Sequence, residues 1–447
     1  MKSAVSEKKS DGNSKSGIKF IFRALSYRNY RLYFGGQGIS LIGTWMQRIA
    51  ISWLVYTLTN SVFLLGFVGF ATQMPTFLLG PLAGVAADRW NRYHILIVTQ
   101  IMAMIQAFIL AVLVLTDVVA VWHIITLGAI LGIVNAFDTP ARQALVVDMI
   151  EDRADLGNAI ALNSSMVNGA RLLGPSIAGI LIAAFGEGIC FLLNGLSYIA
   201  VIVALLAMRI TVHGPSQSQK DLLGHFKDGI KYAFGFPPIR SILMLLALVS
   251  LMGMPYTVLM PIFAKDILHG GPHTLGFLMG SVGAGALTGA AYLASRRSVV
   301  GLGKIIPLAA GVFGTGLILF SLSRMMWFSM ALLYFTGMGM MVQMAASNTV
   351  LQTIIDDDKR GRVMSFYAMS FFGMVPLGNL MAGSLASSIG TTWTIISGGV
   401  VCIIGALIFS RKLPVFRQLI HPIYVRKGII PELADALQMS DRMEGRH

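Results

Sequence analysis

The sequence predicts an all-α membrane protein with twelve transmembrane helices in two six-helix halves related by pseudo-symmetry. Three observations predict this fold: an apolar composition, a succession of long apolar runs, and a spacing of glycines that recurs after about half the chain. Of the 447 residues, 55% are hydrophobic and 12% are charged, and the mean hydropathy is +0.72. A soluble domain has about 25% charged residues, so the composition excludes an ordinary soluble protein.

The apolar runs are close to 20 residues long, which is the length that crosses a bilayer as an α-helix. Charged or glycine-containing turns separate them. The predicted helices are 32–58, 62–87, 94–116, 121–141, 158–185, 188–208, 241–267, 273–295, 304–323, 326–353, 363–389 and 392–410.

The basic residues predict how these helices are oriented. All but four of the 34 Lys and Arg fall on one side of a twelve-helix arrangement. Lys265 and Arg324 fall on the other side, and Arg48 and Arg171 lie inside predicted helices. Cytoplasmic loops carry such an excess of Lys and Arg, so both termini and the central loop are expected in the cytoplasm. A basic surface for anionic lipid or RNA is the alternative for the two ends, but the orientation rule explains the charge without a nucleic-acid partner.

A polar stretch at 209–240 divides the chain into two groups of six helices. Its second part has helical spacing with one apolar face, which predicts an amphipathic helix along the cytoplasmic surface. The predicted organisation is a cytoplasmic segment 1–29, a first half 30–208, the linker 209–240, a second half 241–410 and a cytoplasmic tail 411–447.

The glycine spacing relates the two halves. Gly80 and Gly84 pair with Gly285 and Gly289 at an offset of 205, and a further set pairs at an offset of 204. That set is Gly157, Gly174 and Gly179 with Gly361, Gly378 and Gly383. In this register Leu293 stands where the first copy has Asp88. Two six-helix halves around a pseudo-twofold axis, with a cavity near the bilayer midplane, are the architecture that such repeats imply.

The turn after the second helix reads Gly84-x3-Asp88-Arg89-x2-Arg92 and resembles the loop 2–3 signature of the major facilitator superfamily. Further matches lie in 43–47, 53–59, 137–144, 168–175 and 191–198. Together they resemble the drug:proton antiporter branch, which includes the bacterial enterobactin exporter. The resemblance implies a major facilitator fold and a multi-pass exporter of the bacterial inner membrane that carries siderophores or drugs, without identifying the substrate.

The loop signature predicts a cytoplasmic gate formed by Asp88, Arg89, Arg92 and Arg142. The carboxylate of Asp88 can contact Arg142, or it can face the start of helix eleven near Gly361, where the helix dipole favours an anion. The resemblance implies a latch that favours the outward-open state. The alternative is a solvated acid that shapes a tight turn.

Small residues are predicted to pack helices closely at Gly84 and on helix five. Gly174, Pro175 and Gly179 lie in the pattern that antiporters of this superfamily carry on that helix. Small residues let helix backbones approach, and a proline bends the helix. Ordinary small-residue packing is the alternative.

Arg48 and Arg171 are the candidates for substrate binding. A cation near the bilayer centre costs several kcal/mol unless it faces a cavity or finds a partner. The two arginines either line the cavity and bind an anionic group, or bond to amides and carbonyls in a structural network. The further cavity candidates are Gln47, Asn168 and Gln343.

Asp138 is the candidate for proton coupling, because a proton carrier needs an embedded group that changes charge. Alternatively, Thr139-Pro140 begins a helix, and Asp138 is then a helix-start acid paired with Arg142. The sequence has no P-loop, zinc-ligand spacing or hydrolase motif. It therefore predicts neither an enzyme nor a nucleotide-driven pump, and no cofactor or metal.

The sequence thus predicts a secondary active exporter that works by alternating access and is driven by the proton gradient. Its expected partners are a small-molecule substrate, protons and the lipid bilayer, and a monomer is expected. An importer or facilitator with the same fold, and a membrane sensor or scaffold that transports nothing, are the alternatives.

Overall fold

The computed structural model describes residues 22–209, 231–296, 298–356 and 359–430, except for the side chain of Asp88. This part of the chain is almost entirely helical and contains no strand. Its twelve long helices are α1 Arg28–Thr59, α2 Val62–Arg89, α3 Arg92–Leu115, α4 Val121–Asp148, α5 Arg153–Phe185, α6 Glu187–Ala207, α7 Pro237–Ile267, α8 Pro272–Ser295, α9 Leu302–Leu322, α10 Met326–Ile354, α11 Arg360–Ile389 and α12 Thr391–Arg426. The predicted twelve-helix fold is therefore confirmed.

Eleven of these helices are long and apolar enough to span a membrane by length and composition. The remaining helix, α1, is 32 residues long, but polar side chains such as Gln37, Gln47 and Arg48 interrupt its apolar sequence. It packs closely along α6, where Gly36 and Gly43 approach the α6 backbone. Gln37 and Gln47 are buried inside the protein, so their polarity does not remove α1 from the bundle.

Several helices extend beyond their predicted bounds. The sequence predicts that the fourth helix ends at residue 141, but α4 continues to Asp148. It passes through Pro140 without a break, so the alternative in which Thr139 begins a helix is wrong. Hydropathy detects only the part of a helix that lipid surrounds, whereas the hydrogen-bonded turns of the backbone continue past it.

The largest extension is at α12, which continues to Arg426 where the sequence predicts a separate tail from residue 411. The extension packs against its own half through buried Phe416 and Tyr424. Arg426 pairs with Asp356 at 2.9 Å. At the other predicted boundary, α7 begins at Pro237, and the predicted amphipathic helix lies largely outside the described residues.

The two halves are related by matching contacts. A Cβ atom built on Gly66 would lie 2.5 Å from the carbonyl oxygen of Asn379 and 2.7 Å from Gly383. A Cβ atom on Gly276 would lie 2.6 Å from the carbonyl oxygen of Pro175, beside Gly179 at 2.9 Å. The contact of α2 with α11 therefore repeats in the contact of α8 with α5.

These contacts correct the predicted register of α2 and α8. Gly66 corresponds to Gly276, which lies 210 residues later, so the predicted offset of 205 between Gly80 and Gly285 is wrong. Glycine is frequent in this chain, so two glycines can pair at a given offset by chance. Gly80 and Gly285 pair in this way but do not make equivalent contacts. In the corrected register Asp88 corresponds to Ser298, not to Leu293. The predicted offset of 204 between α5 and α11 agrees with the contacts.

The halves meet most closely at one end of the bundle, which we call the distal end; the terminal end is the opposite one, where α1 begins and α12 ends. At the distal end the Tyr56 hydroxyl of α1 donates a hydrogen bond to the Asp266 carboxylate of α7. Lys265 donates to the Asn60 side chain at 3.0 Å.

At the terminal end, two ion pairs each join elements of the same half. Arg92 pairs with Asp148 at 3.0 Å in the first half, and Arg426 pairs with Asp356 in the second. An added Cβ atom on Gly84 would meet no atom within 4 Å. The described conformation is therefore closed at the distal end, and Gly84 does not pack against another helix in it.

Candidate functional site

Two arginines and a tryptophan form a cationic cluster deep in the first half. The guanidinium carbon of Arg48 lies 4.6 Å from the centre of the Trp45 ring, and that of Arg171 lies 5.1 Å from the same centre. An α-helix rises by about 1.5 Å per residue, which places Arg48 about 16 Å and Arg171 about 21 Å from the distal ends of their helices. The apolar core of a bilayer is about 30 Å thick, so both arginines lie near its middle.

The Arg48 side chain is exposed and stands on the α1 face turned towards α5, whereas its neighbour Gln47 is buried. The two guanidinium groups are close enough to interact electrostatically. Since Trp45 binds both through its ring, their N–H groups are not used in that contact. In the described part of the chain neither arginine forms an ion pair with a carboxylate.

Tyr256 of α7 brings the second half to this cluster. Its side chain is 2% exposed, and its hydroxyl has no hydrogen-bond partner among the described residues. It interacts electrostatically with Arg171, whose Nε atom is buried and also lacks a described partner. Buried polar groups are nearly always hydrogen-bonded in native proteins, so these two unpaired groups are exceptions.

The other acids at membrane depth do not neutralise the cluster. Asp138 is 4% exposed and accepts hydrogen bonds from Gln100 at 2.7 Å and from Thr99 at 3.2 Å. It also pairs with Arg142 at 3.2 Å, one turn along α4. Asp266 is at the distal end with Tyr56. The two positive charges at Trp45 are therefore uncompensated by the described part of the protein.

Asp138 and Arg142 form a second polar centre, between α3 and α4. Tyr33 and Tyr198 lie within electrostatic range of both. The pairing of Asp138 with Arg142 agrees with one of the sequence alternatives, but the acid lies inside a continuous helix.

The second half has uncharged residues in the equivalent positions. Gly132 of α4 and Gly337 of α10 both approach the carbonyl of a neighbouring helix, and they are 205 residues apart. The same spacing relates Asp138 to Gln343, which is 1% exposed. The Nε2 atom of Gln343 has no partner in the described part. The titratable pair therefore belongs to the first half.

Two of the predicted cavity residues lie inside the first half. Gln47 is 2% exposed, donates to Gln106 at 3.0 Å and accepts from Asn194 at 2.6 Å. Asn168 is buried and donates to the carbonyl of Ser164, one turn earlier in its own helix. Both amides are thus used within the first half: that of Gln47 joins neighbouring helices, and that of Asn168 bonds to its own helix.

The predicted cytoplasmic gate is only partly described. Arg92 pairs with Asp148 and donates to the carbonyl of Ala87 at 3.2 Å, whereas Arg89 is exposed. The carboxylate that Arg142 contacts is that of Asp138. The Asp88 side chain is outside the described set, so its role as a latch stays a prediction.

The small residues of helix five lie at two close contacts. A Cβ atom on Gly174 would lie 2.5 Å from the Cβ atom of Trp45. On Gly179 it would lie 2.8 Å from the carbonyl oxygen of Pro272, across the boundary between the halves. These glycines let α5 approach α1 and α8, and Gly174 thereby sets the position of the Trp45 ring.

Sequence reasoning missed Trp45 and Tyr256 as parts of the site, and Tyr56 with Asp266 at the distal end. Trp45 precedes Arg48 by three residues, which places both on one helix face. That spacing could have linked them. The proximity of Tyr256 to Arg171 depends on how the two halves pack against each other, for which the sequence has no local signal.

The fold and this site define a multi-pass membrane transporter for small molecules rather than an enzyme. A family model described as transmembrane secretion effector matches residues 22–423. The chain belongs to that family, within the major facilitator superfamily.

Two curated relatives and one solved structure illustrate the relationship. The staphyloferrin A transporter of Staphylococcus aureus is 27% identical over 86% of this chain and 96% of its own length. Macrolide efflux protein A of Streptococcus pyogenes is 22% identical over 84% of this chain and 95% of its own. A bacterial homologue of the human lysosomal transporter Spinster, in an inward-facing and unoccupied conformation, superposes with a TM-score of 0.65. That comparison covers 88% of this chain and 97% of the other at 14% identity, and it establishes the fold.

Proposed function

We propose that the protein is a secondary active exporter of small molecules in the bacterial inner membrane. The observation that carries this proposal is the uncompensated pair Arg48 and Arg171 at mid-membrane depth, with Tyr256 of the other half beside it. A charge without a partner at this membrane depth is costly unless it faces a cavity, and a site that binds an anionic cargo explains its presence. The names of the relatives, which refer to a siderophore and to macrolide efflux, support export of siderophore-like or drug-like molecules.

Orientation follows from the basic residues. With Arg92, Arg142 and Arg426 near the terminal end, the rule for cytoplasmic Lys and Arg supports a cytoplasmic terminal end. The described conformation is then closed to the outside and corresponds to the inward-facing state of alternating access. A reporter that is active only on the outer face of the membrane can be fused to the C-terminus. Activity of this fusion would contradict the proposed orientation.

Export is tested by comparing the secreted metabolites of cells with and without the gene. The expected result is at least one small molecule that leaves the cell only when the gene is present. Transport of this molecule can then be compared in inverted and right-side-out membrane vesicles. Movement towards the cytoplasmic face would contradict the proposed direction of export. A complete lack of solute movement would favour a sensor or scaffold.

Proton coupling is proposed to use Asp138. A proton taken up on its carboxylate weakens the pairing with Arg142, and release of the proton restores it. Asp138→Asn keeps the size and most hydrogen bonds of the side chain but cannot change charge. The expected result is loss of substrate-driven proton flux in proteoliposomes, by about tenfold or more, with substrate binding retained. Unchanged proton flux in this variant would exclude Asp138 as the carrier.

A further inference from the structure

We infer that the cationic cluster binds a substrate with two anionic groups on one short scaffold. We call the set Arg48, Arg171, Trp45 and Tyr256 the dianion site. The inference rests on the proposed function, because it names the class of cargo for that transport pathway. It goes further by assigning two charges to the cargo and a donor from each half of the protein.

The count of charges carries the first step. Arg48 and Arg171 share one ring, at 4.6 and 5.1 Å from its centre. Two like charges held at one ring repel each other. A ligand with one negative charge leaves one cation unpaired, whereas a ligand with two neutralises the site. Since an unpaired charge at this depth is costly, a dianion is favoured over a monoanion.

The geometry of the donors carries the second step. Trp45 is bound through its ring face, so the N–H groups in the plane of each guanidinium stay available. Arginine presents these groups as a fork that matches a carboxylate or a phosphate in two parallel hydrogen bonds. The buried Nε atom of Arg171, without a described partner, is one such donor.

Tyr256 supplies a donor from the second half. Its hydroxyl is buried and unpaired in the described part, and it lies within electrostatic range of Arg171. A Cβ atom added to Gly283 of α8 would lie 2.9 Å from the main-chain oxygen of Arg171. An anionic group held by Arg171 therefore lies beside the second half, which ties occupancy of the site to the relative position of the halves.

The described part of the second half has no equivalent of Arg171. At the offset of 204 that relates α5 to α11, Val375 stands in its place. A charged substrate therefore has one orientation relative to the halves. The pseudo-symmetry of the backbone does not provide a second equivalent site.

The test is binding of short carboxylates to the full chain in nanodiscs, measured by calorimetry. Butyrate, succinate and tricarballylate carry one, two and three carboxylates on similar chains. We expect succinate and tricarballylate to bind about tenfold or more tightly than butyrate, which is the discrimination expected when a second charge-assisted contact is gained. Arg48→Ala and Arg171→Ala are each expected to reduce this ratio to about one.

Two further variants separate a specific role from a general one. Arg324→Ala also removes one positive charge, but from the distal turn between α9 and α10, and it is expected to keep the wild-type ratio. Arg48→Lys keeps the charge without the fork and is expected to retain part of the preference. Tyr256→Phe is expected to weaken the binding of succinate without loss of the folded protein in thermal unfolding.

Equal binding of butyrate and succinate by the wild type, or an unchanged ratio in both alanine variants, would overturn the dianion site. Neither result contradicts export, which the metabolite comparison tests separately. If secretion is unaffected by Arg48→Ala together with Arg171→Ala, export stands and the dianion site fails. If the wild type secretes nothing, the proposed function fails whatever the binding ratio.

Discussion

At the scale of single residues, the polar side chains of the first half fall into three groups with different surroundings. Gln47 is fully paired with Gln106 and Asn194 inside the half. Asp138 is paired with Arg142 and neutral donors. Arg48 and Arg171 are held by a ring alone. The first group stabilises the fold, the second is an internal ion pair, and the third has no carboxylate partner in the described part of the chain.

The role of Gln47 in the fold is tested by Gln47→Leu. The substitution leaves buried amide atoms of Gln106 and Asn194 without a partner, and such a group costs about 1–3 kcal/mol. We expect a lower midpoint of thermal unfolding with substrate selectivity unchanged. Gln352→Leu is the control, because Gln352 is exposed and its partner Asn348 lies on the same helix. A change in selectivity with normal stability would place Gln47 at the cavity instead.

At the scale of helices, glycine contacts determine where the halves meet. The pairs Gly66 with Gly383 and Gly179 with Gly276 bring backbones together near the distal end. Such close approach is the way in which membrane helices associate without a hydrophobic driving force between them. The same contacts must open when the transporter turns outward, so these pairs are expected to control the balance of states.

Gly179→Leu tests this control. The added side chain would meet the backbone of α8 at Pro272 and Gly276, so the distal end cannot close fully. We expect transport to fall by about tenfold or more, with the helical content of the protein retained. Gly157→Leu is the matched control on the same helix, because nothing lies within 4 Å of a Cβ atom there. Equal losses of transport in the two variants would show that any leucine on α5 impairs the protein, and that the contact with α8 is not the cause.

The helix ends of α1 and α7 provide a second contact across the halves. Tyr56→Phe removes the hydrogen bond to Asp266 but keeps the ring beside Lys265. We expect a larger share of molecules with an open distal end. The measurement is the distance between spin labels at positions 117 and 325, which lie in distal turns of opposite halves.

Tyr334→Phe is the control for this measurement. Its hydroxyl donates to Thr288 within the second half, so the distance distribution is expected to match the wild type. A distribution that is the same for all three proteins would show that the Tyr56 bond does not hold the halves together.

At the scale of the whole molecule, the two halves share a backbone plan but differ in chemistry. The first half contains the paired Asp138 and the two arginines. The second half has Gln343 in place of the acid. Rocking of one half against the other then moves a charged half past a neutral one. Coupling of protons to substrate is therefore expected to depend on changes inside the first half.

The predicted latch at Asp88 belongs to this scale because it concerns the balance between the two open states. Asp88→Asn is expected to weaken closure of the terminal end and to increase the share of molecules closed at the distal end. The same labels at positions 117 and 325 measure that share. If the distance distribution and the transport rate both match the wild type, Asp88 only shapes the turn and is not a latch.

How much the sequence could predict differs between fold and site. Hydropathy and charge were sufficient for the twelve helices, because lipid requires long apolar helices of nearly fixed length. The ends of α4 and α12 were placed too early, since helical turns outside lipid need not be apolar. The register of α2 with α8 was wrong, because frequent glycines match by chance and only contacts distinguish the pairs.

The sequence by itself determined the class of fold, the membership of a transporter superfamily and the presence of Arg48 and Arg171 without an obvious counter-ion. Local spacing and composition carry that information along the chain. The tertiary structure alone decided that Trp45 binds both arginines, that Tyr256 joins them from the other half, and that Gln47 points away. The physical reason is that these contacts join residues far apart in sequence, and their geometry depends on how closely glycines let whole helices pack.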